Sequence, residues 1–170
     1  MSIHETSRMR AIWVLVLFIS LARAETLDGY VVAVSDGDTI TVLDAKREQY
    51  KIRLAGIDAP EKAQAFGERS KQHLVELVFN KQVTVEWEKF DRYGRTIGKV
   101  LVNGTDANLE QIKAGMAWWY EKYRKEQSPD DQRSYRAAEQ HARMQHTGLW
   151  RDKNPLPPWD WRHRRVNTLR

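Results

Sequence analysis

The sequence predicts an α+β protein that is mainly β. Five short stretches alternate apolar and polar residues, as half-buried strands do. Turn signals such as Asp36-Gly37 and Asn103-Gly104 separate several of them. One helical stripe follows the third strand, and the other helical signals follow the fifth. The 170 residues suffice for one domain with a real core.

The first three strands form a predicted meander over residues 27–34, 38–43 and 49–57. In the third strand, Arg53 lies between Ile52 and Leu54. Burial of those two apolar side chains would point the arginine the other way. The strand is expected to end at Pro60, with Asp58 and Glu61 on the turn that leaves it.

The rest of the pattern adds a helix from Gly67 to about Asn80 and strands over residues 83–87 and 96–102. A short helix is expected over residues 108–114. Ser128-Pro129 has the form of a capped helix start, and Gly148 is expected to close that helix. The segment 155–161 contains three prolines and two tryptophans, and we expect it to lie along the surface without forming a helix.

The first 24 residues have the features of an export signal. Arg8 and Arg10 precede an apolar run over residues 11–22, and Ala22-Arg23-Ala24 has the form of a signal-peptidase site. Twelve residues would make a helix of about 18 Å, short of a bilayer core of about 30 Å. We expect cleavage before Glu25 and a periplasmic or secreted mature protein; an uncleaved anchor is the alternative.

Composition and charge indicate an ordinary globular protein. The chain is 41% hydrophobic and 30% charged, which excludes a disordered chain, and it has no cysteine to form a disulfide. The net charge is +5, yet residues 25–153 balance at zero. The excess positive charge lies in the signal and in the tail, residues 154–170. The four arginines of the tail are either simply solvated or bind a polyanion by general electrostatic attraction. The tail could also bind a partner in the cell envelope.

Two acids suggest a metal site. Asp36-Gly37-Asp38 alone is typical of a hairpin turn, but in a meander the start of one strand can lie near the end of its neighbour. Asp38 and Asp58 could then converge. Two carboxylates, a main-chain carbonyl and waters would suit a hard cation such as Ca²⁺.

Two arginines suggest phosphate chemistry. Arg53 and Arg95 could donate charge-assisted hydrogen bonds to the phosphate oxygens that gain negative charge when a phosphodiester is cleaved. The planar fork of arginine matches two oxygens at once, which lysine cannot do. A zinc site is not indicated, because the histidines lack ligand-like spacing.

Three motifs together resemble the staphylococcal nuclease (thermonuclease) family over roughly residues 27–151. They are Asp36-Gly37-Asp38-Thr39, then Arg53-Leu54-Ala55-Gly56-Ile57-Asp58-Ala59-Pro60-Glu61, then Asp91-Arg92-Tyr93-Gly94-Arg95. The resemblance implies a five-stranded OB-fold barrel with three helices. It also implies a Ca²⁺-dependent, sugar-non-specific nuclease that cuts DNA and RNA to leave 3′-phosphate ends. We further expect the protein to be a monomer without stable membrane association after signal cleavage.

The same resemblance implies a role for each matching residue. Asp38, Asp58 and the carbonyl of Ala59 would bind the metal. Arg53 and Arg95 would stabilise the transition state, and Glu61 would orient or deprotonate the attacking water. Arg92 and Tyr93 would contact nucleotide phosphate, and Tyr123, or equally Tyr120, could stack on a base.

Two departures from the family pattern affect the expected reaction rate and the expected strength of substrate binding. Ala59 stands where the best-known member has threonine, and residues 62–66 are shorter than that member's lysine-rich loop. A non-catalytic nucleic-acid-binding barrel is the competing interpretation. Such a module would tolerate loss of the acids, whereas Asp38, Asp58 and Glu61 are all present here.

Overall fold

A closed five-stranded barrel forms the centre of the protein in a computed structural model that describes residues 25–168, with side chains described as far as residue 164. The strands are β1 (Glu25–Asp36), β2 (Thr39–Leu43), β3 (Gln49–Leu54), β4 (Ile57–Asp58), β5 (Gln82–Phe90), β6 (Thr96–Val102), β7 (Thr105–Asp106) and β8 (Trp118–Trp119). The helices are α1 (Gly67–Val78), α2 (Ala107–Lys113), α3 (Pro129–Met144) and α4 (Pro158–Thr168). The export signal assigned to residues 1–24 lies outside the described residues.

The barrel is closed by one parallel pairing. The strands run in the order β3-β2-β1-β5-β6 through antiparallel neighbours, and β3 then pairs with β6 in parallel, Ile52 opposite Thr96 and Leu54 opposite Gly98. Closure satisfies the hydrogen-bonding edges that an open sheet would expose. The predicted α+β fold with a five-stranded OB-like barrel is confirmed.

The core fills the barrel and the layer beneath α1, α2 and α3. Alternation sends Ile52 and Leu54 inward at 0% and 1% exposure and leaves Arg53 at the rim, as the sequence predicts. The other large buried apolar side chains include Val31, Ile40, Val42, Leu74, Val78, Val83, Val85, Val100, Ile112 and Tyr135.

The third strand is shorter than expected. It ends at Leu54, where Ala55 and Gly56 turn the chain, and Gly56 adopts a φ of 71° that favours glycine. Ile57–Asp58 then forms a separate short strand that pairs with Trp118–Trp119. The strand therefore ends at a turn before Asp58, and Pro60 does not end it.

The tail is helical where the sequence led us to expect no helix. Proline lacks an N–H, but the first turn of a helix leaves its N–H groups unpaired in any case. Pro158 can therefore begin α4, and Asp160 lies in its first turn.

The helix α3 also ends earlier than expected, at Met144, since Gly148 begins a separate 3₁₀ turn. Within residues 25–168, no helix is both long and apolar enough to cross a bilayer.

Candidate active site

Asp38 and Asp58 meet at one guanidinium. Nη2 of Arg53 lies 3.0 Å from Oδ2 of Asp38 and 2.9 Å from Oδ1 of Asp58. The strand register explains this meeting, because Thr39 at the start of β2 pairs with Arg53 near the end of β3. The N–H of Leu54 also donates to the carbonyl of Asp38 at 2.8 Å. The convergence expected from the meander is therefore present in the fold.

Both acids are buried, and the surroundings of Asp38 disfavour its ionised form. Asp38 is 6% exposed and Asp58 is 1% exposed. Burial raises the pKa of Asp38 well above its usual range; Arg53 and the N–H of Ala59 oppose the rise, while Asp36 and Asp58 add to it. Arg53 contacts Asp38, yet the pKa of Asp38 stays raised, so additional positive charge would stabilise the ionised form of Asp38.

The turn that carries Asp38 is fixed by residues of α1 and α2. A Cβ on Gly37 would come within 1.9 Å of Oγ of Ser70, so only glycine allows this approach to α1. Nε2 of Gln111, a fully buried residue of α2, donates to the carbonyl of Gly37 at 2.6 Å and to that of Ser70 at 3.1 Å. No sequence pattern predicts this role of Gln111, because its partners lie 74 and 41 residues away.

Arg95 reaches the same rim from a compact loop. Its Nη1 lies 3.5 Å from Oγ1 of Thr39, whose hydroxyl donates to Oδ1 of Asp38 at 3.2 Å. Asp91 fixes the loop by accepting the N–H of Tyr93 and both the N–H and Nε of Arg95, at 2.7 to 2.9 Å. Burial alone would raise the pKa of Asp91, but these hydrogen bonds lower it overall.

The aromatic and basic side chains of that loop are stacked. The ring of Tyr93, 68% exposed, has the guanidinium of Arg92 at 4.8 Å and that of Arg95 at 5.6 Å from its centroid. Arg92 and Tyr93 thus lie beside Arg95.

Glu61 is linked to the acid pair by a residue that sequence reasoning did not place there. Nη1 of Arg162, in α4, lies 2.8 Å from Oε1 of Glu61 and 3.2 Å from Oδ1 of Asp58. Its Nη2 lies 2.7 Å from Oδ2 of Asp58. Neither interpretation of the tail arginines, a solvated end or a hold on a polyanion, describes Arg162.

The two tyrosines considered for base stacking differ in their surroundings. Tyr120 is stacked on Trp159 of α4, with ring centroids 5.2 Å apart and planes 4° from parallel. Tyr123 is 41% exposed and meets Tyr120 edge-on at 4.8 Å. One face of Tyr120 is therefore covered, and Tyr123 is the more accessible of the two.

The acid pair fits a hard cation. A carboxylate offers about four lone-pair positions. Asp38 accepts hydrogen bonds from Ala59 and Thr39 and forms an ion pair with Arg53. Asp58 accepts one hydrogen bond from Arg53 and two from Arg162, so neither acid has all its positions used by these contacts. Among residues 25–164, no three His, Cys, Asp or Glu side chains form a group suited to a metal. An ion here would thus depend on two carboxylates, with carbonyls and waters completing its shell.

Comparison with known proteins gives relatives along most of the chain. Residues 51–152 match the family described as "Staphylococcal nuclease homologue". The "Micrococcal nuclease" of Shigella flexneri is 41% identical over 162 residues, which are 90% of each chain. An "Uncharacterized endonuclease" of Haemophilus influenzae is 46% identical over 132 residues, 78% of this chain and 71% of that protein.

A plant relative extends the range of matches. The "Probable staphylococcal-like nuclease CAN1" of Oryza sativa subsp. japonica is 35% identical over 146 residues, 82% of this chain and 42% of that longer protein.

The barrel, its rim and these relatives define a phosphodiesterase of the endonuclease class. Within that class, the chain belongs to the staphylococcal nuclease family.

Proposed function

We propose that this endonuclease is Ca²⁺-dependent and sugar-non-specific, and that it cuts DNA and RNA to leave 3′-phosphate ends. The observation that supports the proposal is the convergence of Asp38 and Asp58 on Arg53, with Glu61 and Arg95 linked to the same rim. Carboxylates alone would repel a phosphate backbone, so acids at a nucleic-acid site make sense when a cation lies between them and the substrate.

The proposed metal ligands are Asp38, Asp58 and the carbonyl of Ala59. Both carboxylates are hard oxygen donors, and burial of Asp38 disfavours its ionised form in the absence of further positive charge. A bound Ca²⁺ supplies charge that offsets the phosphate anion and favours attack on phosphorus. Asp38 also accepts the N–H of Ala59 at 2.8 Å, which fixes the backbone beside the proposed carbonyl ligand.

The proposed roles of the cations follow from where they are held. Arg53 donates through Nη1 to the carbonyls of Leu54 and Ile57, at 2.7 and 2.9 Å, so its guanidinium is fixed before substrate arrives. Arg95 is fixed by Asp91. Preorganised donors of this kind stabilise the negative charge that develops on phosphate oxygens in the transition state. Arg92 and Tyr93 would contact a nucleotide phosphate beside them.

Glu61 is the proposed group that orients or deprotonates the attacking water. Its carboxylate is 39% exposed, so water can reach it. Tyr123 would stack on a base of either polymer, since every base has a π face. The proposed contacts are to phosphates and base faces, and none of them is to a 2′-hydroxyl. Such recognition is consistent with cutting both DNA and RNA.

The experiment measures cleavage of DNA and RNA by residues 25–170 in Ca²⁺ and in chelator. We expect cleavage of both polymers in Ca²⁺, loss in chelator, recovery when Ca²⁺ is restored, and 3′-phosphate ends on the products. Equal activity with and without chelator, or none in either with folded protein, would contradict the metal requirement. Cleavage of one polymer alone would contradict the broad substrate range.

We also propose that residues 1–24 are removed on export and that the mature protein is a periplasmic or secreted monomer without stable membrane association. The arginines before the apolar run and the Ala-Arg-Ala site support this proposal. The measurement is the mass and first residue of the exported chain, with Glu25 expected. A retained N-terminus in the membrane fraction would contradict it.

A further inference from the structure

The helix α4 brings a third guanidinium to the rim. Arg162 bridges Asp58 and Glu61 with three N–O distances of 2.7 to 3.2 Å, although it lies 104 and 101 residues away from them in the chain. Partial burial alone would lower the pKa of Arg162, but the two carboxylates raise it overall, so the guanidinium stays charged. Its side chain is 43% exposed, and that of Asp58 is 1% exposed.

The position of Arg162 is set by packing. Trp159, three residues earlier and so on the same helix face, stacks on Tyr120 and meets Trp118 edge-on at 5.6 Å. Trp118 belongs to a buried cluster with Ala142, Leu149 and Trp150. An aromatic anchor one turn before the arginine fixes the helix against the domain and so places the backbone of Arg162 within reach of the acids.

A second link joins the loop of Glu61 to the segment that leads into α4. Gln64 is 8% exposed; its Oε1 accepts the N–H of Glu61 at 3.1 Å, and its Nε2 donates to the carbonyl of Leu156 at 2.5 Å. The backbone of Glu61 is thus tied to the tail through Gln64, and its carboxylate is tied to the tail through Arg162.

The carboxylate of Glu61 needs such a restraint. Glutamate has several rotatable bonds, and at 39% exposure packing alone does not select one rotamer. Within the described side chains, Arg162 is the residue that hydrogen-bonds this carboxylate. A group that directs an attacking water must be held within a fraction of an ångström of the productive position.

We infer that Arg162 is a positioning residue for the nuclease reaction, which holds the carboxylate of Glu61 at a fixed place relative to Asp58. The inference rests on the proposed role of Glu61 as the group that orients or deprotonates water. In this arrangement the C-terminal helix completes the active site, and Arg162 acts on the reaction through Glu61.

Arg162 leaves room for the chemistry. It engages Oε1 of Glu61, and no hydrogen bond from the described residues is assigned to Oε2, so one oxygen remains available to a water. On Asp58, hydrogen bonds from Arg53 and Arg162 use three of about four lone-pair positions, which leaves one for a cation. This count favours positioning over blockage of the site.

The first test compares the steady-state kinetics of Arg162→Gln with those of the wild type at saturating Ca²⁺. Loss of positioning should lower kcat by about 10- to 100-fold with a change in KM below about threefold. Arg162→Lys should resemble Arg162→Gln, because one ammonium cannot fork across two carboxylates. Arg133→Gln, which removes an exposed guanidinium on α3, is the matched control and should keep the wild-type kcat.

Two other outcomes would overturn the inference. A faster Arg162→Gln enzyme would identify an arginine that blocks the site, and a loss confined to KM would identify a phosphate contact. Thermal unfolding of each variant checks that the fold is kept.

A double-mutant cycle tests whether Arg162 acts through Glu61. In an enzyme that already carries Glu61→Gln, adding Arg162→Gln should lower kcat by less than about threefold. Losses that multiply in the double variant would overturn positioning through Glu61. A purely structural role predicts such multiplication.

The four proteins of the double-mutant cycle are the wild type, the two single variants and the double variant. They also distinguish failure of the inference from failure of the proposed function. A wild type without Ca²⁺-dependent cleavage would remove the proposed function, and the bridge would then be judged from denaturation midpoints. Non-additive shifts for the Arg162 and Glu61 substitutions support the bridge, and additive shifts overturn it.

Discussion

At the level of single residues, the site depends on side chains that hold other side chains. Asp91 is the clearest case, because it accepts two backbone N–H groups and the Nε of Arg95 within one five-residue loop. Without it, the loop would lose the contacts that direct Arg95 toward Thr39 and Asp38. Asp91 is therefore a positioning residue for Arg95.

Asp91→Asn is expected to weaken catalysis through Arg95. The amide oxygen can still accept the two backbone N–H groups, but the NH₂ group would face the Nε of Arg95, and two donors cannot bond. We expect kcat to fall about tenfold, corresponding to about 1.4 kcal/mol of barrier, and less than in Arg95→Ala.

The control for that prediction is Asp130→Asn, which makes the same change at an exposed ion pair of α3 and should leave kcat unchanged. If Asp91→Asn lowered kcat equally in the wild type and in Arg95→Ala, action through Arg95 would be excluded.

Contacts between residues on one strand or on neighbouring strands could be predicted from the sequence. Alternation fixes which way Arg53 points, and a meander brings Asp38 to it, so this part of the rim followed from local pattern. Arg162 did not, since its partners are about a hundred residues distant and no periodicity links them. Only the correct assignment of α4 would have placed Trp159 and Arg162 on one helix face.

At the level of elements, buried polar side chains join the helices to the barrel. Asn108 of α2 is fully buried; its Nδ2 donates to the carbonyls of Ala55 and Gly98, and its Oδ1 accepts the N–H of Val100. Ala55 lies in the turn between Arg53 and Ile57. Asn108 therefore stabilises the turn on which the geometry of the acid pair depends.

Asn108→Asp tests this connection with almost no change of shape. A buried carboxylate would face two carbonyl oxygens with no proton to offer, so we expect the free energy of unfolding to fall by about 3 kcal/mol. Chemical denaturation at neutral pH measures the change. Asn154→Asp makes the same substitution at an exposed site and should cost less than about 0.5 kcal/mol. A comparable loss in both variants would contradict the role of Asn108.

Elements with a clear period were predicted well, and elements set by single residues were not. The strands follow from alternation and α1 from its apolar stripe. The break after Leu54 depends on the left-handed conformation of Gly56, and the start of α4 depends on a proline that is tolerated only in a first turn. Proline normally argues against a helix, so the pattern favoured the wrong structure there.

At the level of the whole molecule, a buried hydroxyl joins α3 to the edge of the barrel. Tyr135 of α3 is 1% exposed and donates to Oδ2 of Asp106 at 2.8 Å, while Oδ1 of Asp106 caps α2 through the N–H of Leu109. Burial raises the pKa of Tyr135, and the charge and hydrogen bond of Asp106 add to the rise. The folded protein therefore keeps this hydroxyl protonated where an unfolded chain would not.

This difference predicts how stability changes in alkali. A tyrosine in the unfolded chain loses its proton near pH 10, whereas Tyr135 in the folded protein retains it, so the unfolded state binds fewer protons above that pH. The contribution of Tyr135 to stability is complete below pH 10. It then falls by about 1.4 kcal/mol per pH unit as the pH rises toward the folded-state pKa.

Tyr135→Phe removes the titrating group. At neutral pH it should cost about 1 kcal/mol for the lost hydrogen bond. Between neutral pH and pH 11 the wild type should lose about 1.4 kcal/mol more stability than the variant, so the two curves converge or cross. Urea denaturation across this range measures the difference, with Tyr30→Phe, at a 56% exposed site, as the control. Parallel curves for the wild type and Tyr135→Phe would show that the buried hydroxyl ionises as readily in the folded state as in the unfolded chain.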